Sequence, residues 1–469
     1  MQRRCNLPFP ETAEVCSSSQ MNDRLSELQR LDRLHHIHPF TNHEQLHTEG
    51  THLIDSGAGC WVTDGSGRKL LDGLAGLWCV NVGYGRAEIA DAVREQMIKL
   101  PYYCSFLNST TEPAIRLADK LASLAPPRLG KVFFSSSGSE ANETALKLIR
   151  AYQKLRGRPR KTKIVSRTFS YHGVGIATTS MTGLASCTAP FDLPLPGFIQ
   201  VPGPHAYESD PSAATTPTTY GEWCLAETER TIAREGAETI AALFAEPIQG
   251  AGGVIVPPPG HLRKLRDLCR RNDILFVADE VITAFGRVGA WFASALWELD
   301  PDLITIAKGV TSGYVPLGAA LVADEIASVL NGGGYLAHGF TYSGHPVAAA
   351  AALANLAILE REALIERVRD DVGPYFQEKL LSFASHRAVG EARGFGLIGA
   401  LDLVPREGRG ARSPPAPLGV LAARYAREEG VIVRGIRDLI ALSPPLTISH
   451  GELDELFAAV GRALDRLWN

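Results

Sequence analysis

From residue 131 onward the chain alternates short apolar runs with amphipathic stretches of helical length, and no other feature narrows its fold as far. Candidate strands fall at residues 132–134, 163–166, 240–245, 274–278, 303–306 and 318–322. Helical stretches fit between several of them, notably 140–156, 224–235 and 261–271. Apolar strands separated by helices predict an α/β fold, with a mainly parallel sheet covered on both faces. Such a sheet binds its ligand in the crevice beyond the carboxyl ends of its strands. After His345-Pro346 the character changes. A long Ala-rich helix is followed by candidate strands at 397–403, 431–433 and 440–442, mixed with helices at 418–429 and 451–467. That reads as a smaller α+β domain. Residues 59–72 alternate apolar and turn residues around Asp64-Gly65-Ser66-Gly67 and predict a β-hairpin, which we expect to join the small domain from the other chain end.

Composition excludes several classes. A chain of 469 residues buries enough surface to need neither disulfides nor a structural metal. Its 47 basic and 51 acidic residues give a net charge of −4, and no Lys/Arg-rich run stands out, so nucleic acid is not an expected partner. The most apolar stretch, 347–359, is too short to span a bilayer and carries Asn355. Eight scattered cysteines form no C-x-x-C pair and read as reduced, packed thiols. His35, His36 and His38 crowd together, yet we see no neighbouring cysteine or acidic ligand pattern and expect no metal. Residues 1–20 contain Arg3 and Arg4 but no apolar core for a secretory signal. We expect a disordered tail there, with Met21 as an alternative start, on a cytoplasmic protein. An organelle-targeting reading rests only on the lack of acidic residues before Glu11.

Three places carry chemistry. Ser135-Ser136-Ser137-Gly138-Ser139-Glu140 is a small-residue turn between a strand and a helix. Its free backbone N–H groups and hydroxyls suit a phosphate, although a plain serine cap supported by Glu143 would look the same. Asp279 ends one apolar run, and Lys308 follows another. An amine at the end of a buried strand is costly unless paired, neutral or covalently used. Singly, each is more often a cap or a solvated side chain. Together they supply what pyridoxal phosphate needs: a Schiff-base lysine, an acid to keep the pyridine nitrogen protonated, and a phosphate cradle. Gly394-Phe395-Gly396-Leu397-Ile398-Gly399 matches G-x-G-x-x-G but runs into a strand, so a dinucleotide reading fails on context.

With these parts in place, the sequence resembles the class III, fold-type I aminotransferases, in their amine (ω-amino acid):pyruvate subgroup, from about Leu31 to the C-terminus. The segments that carry the resemblance occur in order: 76–86 around Trp78, the turn through Asn142, Tyr171-His172-Gly173, Glu246-Pro247-Ile248-Gln249-Gly250, Asp279-Glu280-Val281, Ala307-Lys308-Gly309, and 339–346. The resemblance implies a large pyridoxal-phosphate domain (76–345) and a small domain from both ends (21–75 and 346–469). It implies catalytic roles for Lys308 and Asp279. Gly138 and Ser139 would hold the phosphate, Tyr171 and Val281 would sandwich the ring, and Glu246 would fix Asp279 or the ring's polar edge. Thr341 would reach the cofactor of a second subunit, making a homodimer with shared active sites.

The same resemblance makes Trp78, Phe106, Ala251 and Arg434 substrate contacts. Arg434 suits a carboxylate because its planar fork binds both oxygens. Ala251 stands where γ-aminobutyrate and ornithine relatives often carry a glutamate, which favours a pyruvate/alanine cycle. The chain departs from the subgroup at Thr283-Ala284, at Ile436-Arg437, and in the wall formed by Tyr103-Cys104-Ser105-Phe106-Leu107. These departures leave the amine donor open. Racemases, aminomutases and decarboxylases share the scaffold and remain alternatives. A non-catalytic scaffold is the rival from another class.

Overall fold

The computed structural model describes residues 18–206, 216–406 and 416–467. Residues 1–17 of the expected tail lie outside the described residues, as do the middles of two stretches whose sequence reads as surface loop, 203–218 (crowded with Pro, Ser, Ala and Thr) and 405–417. Residues 18–20 already belong to a helix, Ser18–His35.

The chain forms two compact units. One runs up to Gly57 and includes Trp61–Leu70. It carries helix Ser18–His35, helix His43–Glu49 capped by the Asn42 side chain, all but the last residue of β1 (Ile54–Ala58), β2 (Trp61–Asp64) and the start of β3 (Lys69–Asp72). The predicted hairpin turns where Asp64 Oδ1 accepts the N–H groups of Ser66 and Arg68 at 2.9 and 3.0 Å. An aspartate that bonds backbone two residues on is a standard device for reversing a chain.

The other unit, 58–60 with 71–469, holds two sheets. The first contains β4 (Lys131–Ser135), β5 (Lys163–Arg167), β6 (Phe198–Val201), β7 (Ile240–Ala245), β8 (Leu275–Asp279), β9 (Leu303–Ile306) and β10 (Gly318–Val322). Its order is β4-β10-β9-β8-β7-β5-β6, and β10 runs against both neighbours while the other pairings are parallel. The strands β7, β9 and β10 are buried at every position, which is why they read as unbroken apolar runs. Helix Gly138–Leu155 buries Ala141, Ala145, Leu148, Ile149 and Tyr152, the stripe expected of a helix lying on a sheet.

The second sheet is antiparallel, in the order β11-β12-β15-β14, from β11 (Val389–Phe395), β12 (Ile398–Leu403), β14 (Arg434–Ile436) and β15 (Leu439–Leu442). Between β12 and β14, the two-residue β13 (Val431–Ile432) does not join this sheet but pairs in parallel with Leu71 and Asp72. The G-x-G-x-x-G stretch is the β11–β12 turn, with Gly394 paired to Gly399. Several elements differ from expectation, since β1, β6, β11 and β14 have no counterpart among the expected strands. Helix Pro217–Glu235 starts well before residue 224, because Thr216 caps Thr219 N–H and Pro217 occupies the first turn. The edge strand β6 was too short to read from its apolar run alone. No described helix is long and apolar enough to cross a membrane.

Candidate active site

The parallel strands deliver their carboxyl ends to one edge of the seven-stranded sheet. Asp279 is the last residue of β8, Glu246 follows β7, and Lys308 lies just past β9. Tyr171 follows β5, and Gly138 and Ser139 open the helix after β4. All of these, with Val281, line a single cavity.

Asp279 is 4% exposed and held from two sides. Its Oδ2 accepts Asn142 Nδ2–H at 2.7 Å and lies 2.7 Å from His172 Nδ1. Because a carboxylate only accepts, the His172 proton belongs on Nδ1. Asn142 is itself fixed: its Oδ1 accepts the Thr305 hydroxyl at 2.9 Å, and its Nδ2 also reaches the His172 carbonyl. Oδ1 of Asp279 receives only the 3.2 Å contact from Val281 N–H, so it keeps accepting capacity.

Lys308 adopts a left-handed backbone, φ 47°, uncommon for a side chain of its size. Its Nζ sits 5.4 Å from the centre of the Trp78 ring, and the Arg434 guanidinium carbon lies 4.8 Å from the same ring. Desolvation lowers the Lys308 amine to about 8, because burial disfavours the ammonium form. Glu246 is also buried. Its Oε1 accepts Tyr171 N–H at 2.9 Å and its Oε2 accepts Gly250 N–H at 3.0 Å. Burial still prevails and raises its carboxyl to about 7.

The turn before helix Gly138–Leu155 is capped, but by a different acid from the one expected. Ser137 Oγ accepts Glu140 N–H at 3.2 Å, and Glu140 reaches back to Ser136 N–H at 2.7 Å. Glu143 instead accepts Thr178 N–H. The cap occupies Glu140 N–H and leaves the first residues of the helix, Gly138 and Ser139, facing the cavity. A Cβ on Gly138 would stand 3.0 Å from a Val281 methyl. A bare Cα therefore keeps the slot open.

These residues fit pyridoxal phosphate. A helix N-terminus suits its phosphate, a buried and oriented carboxylate suits its pyridinium, and an amine of lowered basicity suits its aldehyde. Trp78 and Arg434 adjoin Lys308 outside the cavity lining. Ala251 lies in the turn that Gly250 ties to Glu246. Thr341 and Phe106 stand apart from the cavity of their own chain. Both are exposed; the Thr341 carbonyl accepts the Tyr102 hydroxyl, and Phe106 lines a different groove with Phe133 and Phe134. Asn142, His172 and Thr305 were given no role from sequence. The first two lay inside motifs already noted, Asn142 one helical turn beyond Gly138.

Known proteins resemble this geometry and chain closely. The family described as aminotransferase class-III matches residues 43–464. Putrescine–pyruvate aminotransferase of Pseudomonas aeruginosa is 43% identical over 450 residues, covering 96% of this chain and 98% of its own. An (S)-enantioselective omega-transaminase from Thermomicrobium roseum superposes with a TM-score of 0.91 at 43% identity, covering 95% of this chain and 99% of that one. The omega-transaminase of Pseudomonas jessenii, solved with PMP, gives 0.91 at 39% identity, covering 94% and 98%. Agreement of that extent, in sequence and in backbone, makes this chain a member of the class III aminotransferases, which work with pyridoxal phosphate.

Proposed function

We propose that the chain moves an amino group from a primary amine or ω-amino acid to pyruvate, releasing alanine, as a cytoplasmic homodimer. The observation that carries this is the placement of Lys308 and Asp279 beyond adjacent strands, with Arg434 stacked on the tryptophan beside the lysine. The putrescine–pyruvate relative supports pyruvate as acceptor.

Pyridoxal phosphate supplies an electron sink and a carrier for the amino group. Gly138 and Ser139 would hold its phosphate, aided by Thr341 of the partner subunit, while Tyr171 and Val281 flank the ring. Asp279, oriented by His172 and Asn142, would keep the pyridine nitrogen of the cofactor protonated. Lys308 would hold the cofactor through its amine, and its Nζ is placed to move the proton of the donor carbon. A value near 8 leaves enough neutral amine at ordinary pH for that role. Arg434 takes the carboxylate of the keto acid and swings aside for donors without one, while Trp78 and Ala251 shape the pocket. We assign residues 76–345 to the cofactor domain, and 21–75 with 346–469 to the small domain.

The test is spectroscopic. Adding an amine donor without keto acid should discharge the visible band of the bound cofactor, and pyruvate should restore it. Racemase, mutase or decarboxylase activity would turn over without an acceptor, and that result would overturn the proposal.

A further inference from the structure

The histidines near the N-terminus have an acidic neighbour after all: Asp32, one helical turn before His36. Its carboxylate lies between two imidazoles. Oδ1 is 3.0 Å from His36 Nδ1 and 2.9 Å from His38 Nε2, and Oδ2 is 2.9 Å from the same His38 nitrogen. The two ring nitrogens lie within 4.8 Å of one another. We propose that Asp32, His36 and His38 form a binding site for a divalent transition metal of the zinc type.

Ligand spacing supports the assignment. Nitrogen and oxygen donors about 2.1 Å from one zinc ion stand roughly 3.0 to 3.4 Å from each other. The carboxylate–imidazole separations here nearly meet that spacing before any ion enters. Two imidazoles and one carboxylate suit zinc, cobalt or nickel, whereas calcium and magnesium prefer oxygen donors.

The surroundings hold the ligands in place. The Thr51 hydroxyl donates to Asp32 Oδ2, an outer partner of the kind that orients a ligating carboxylate. His38 N–H donates to His43 Nε2 at 3.1 Å and steadies the loop after the helix. The side chains of Asp32 and His38 are 17% and 20% exposed while His36 is 60% exposed, which leaves one side open for water ligands. The other His/carboxylate cluster among the described residues, His205 with Glu391 and Asp402, is a poorer candidate. There Arg393 already bonds both carboxylates and would repel a cation.

A bound ion would pin the end of helix Ser18–His35 to the segment that follows it. The experiment titrates zinc into tag-free, cofactor-loaded protein by calorimetry, and follows the thermal midpoint with and without the ion. One zinc per chain should bind, raising the midpoint. Affinity should fall at least tenfold in Asp32→Asn and in His36→Ala. The exposed His36 position keeps the test informative if Asp32→Asn loosens the Thr51 contact. Absence of stoichiometric binding would overturn the proposal, as would binding that His36→Ala leaves unchanged.

Discussion

His172 Nδ1 stands 2.7 Å from Asp279 Oδ2, and both side chains are buried. Asn142 approaches the same oxygen from the helix side, so the carboxylate is oriented by the protein alone. A hydrogen bond to a charged group contributes about 1.5–3 kcal/mol, or roughly 10- to 100-fold in a rate that depends on it. Asn142→Ala should therefore lower kcat by that factor. It should also move the pH at which the cofactor's visible band titrates, a change that general loosening of the fold would not produce. An unchanged titration would show that His172 suffices.

Lys308 should govern cofactor uptake. Its neutral amine is the nucleophile, and with the group near 8 each pH unit below that value removes about nine-tenths of it. Uptake of pyridoxal phosphate by the cofactor-free protein should rise through pH 8 and level off above it. Lys308→Ala should bind the cofactor only reversibly and lose transamination. Full activity in that variant would refute the mechanism.

Glu246 connects the site to stability. Burial raises its folded value to about 7, above the value of an unfolded glutamate, so folding favours the protonated form. That stabilisation is present in full below about pH 4.5 and is lost as pH rises through 7. Over this window the site withdraws on the order of 3 kcal/mol from the cofactor-free protein. Glu246→Gln should flatten the fall in thermal midpoint between pH 5 and 8. Equal slopes in variant and parent would show that Glu246 stays ionised in the fold.

Strand ends were the most legible part of the sequence. β7, β9 and β10 begin and end where their apolar runs do, because strands buried on both faces leave no polar position to blur the boundary. Asp279 and Lys308 were visible for the same reason, each a charge placed directly after such a run. Asn142 and Thr305 were not. Their importance lies in one hydrogen bond between a helix and a strand distant in sequence, and neither residue breaks its local pattern. Asp32 escaped notice because its contacts with His36 and His38 depend on how the helix ends. Thr341 is exposed in its own chain, where resemblance alone suggests a partner subunit, and Phe106, expected as a substrate contact, lines a separate groove.

Arg434 offers the sharpest separation of the two half-reactions. Its guanidinium lies over Trp78, which Lys308 also touches, so a keto-acid carboxylate bound there would sit beside the reacting amine. A charge-assisted, two-pronged contact is lost when the arginine is shortened, and at a half-buried position water replaces it only in part. Arg434→Ala should raise KM for pyruvate by roughly 10- to 100-fold, a cost of about 1.5–3 kcal/mol. Discharge of the cofactor by an amine without a carboxylate should change little, since that donor needs no anion site. Single-turnover rates for each half, followed in the visible band, provide the check. Equal losses in both halves would mean that Arg434 supports the pocket through its stacking on Trp78 rather than through its charge.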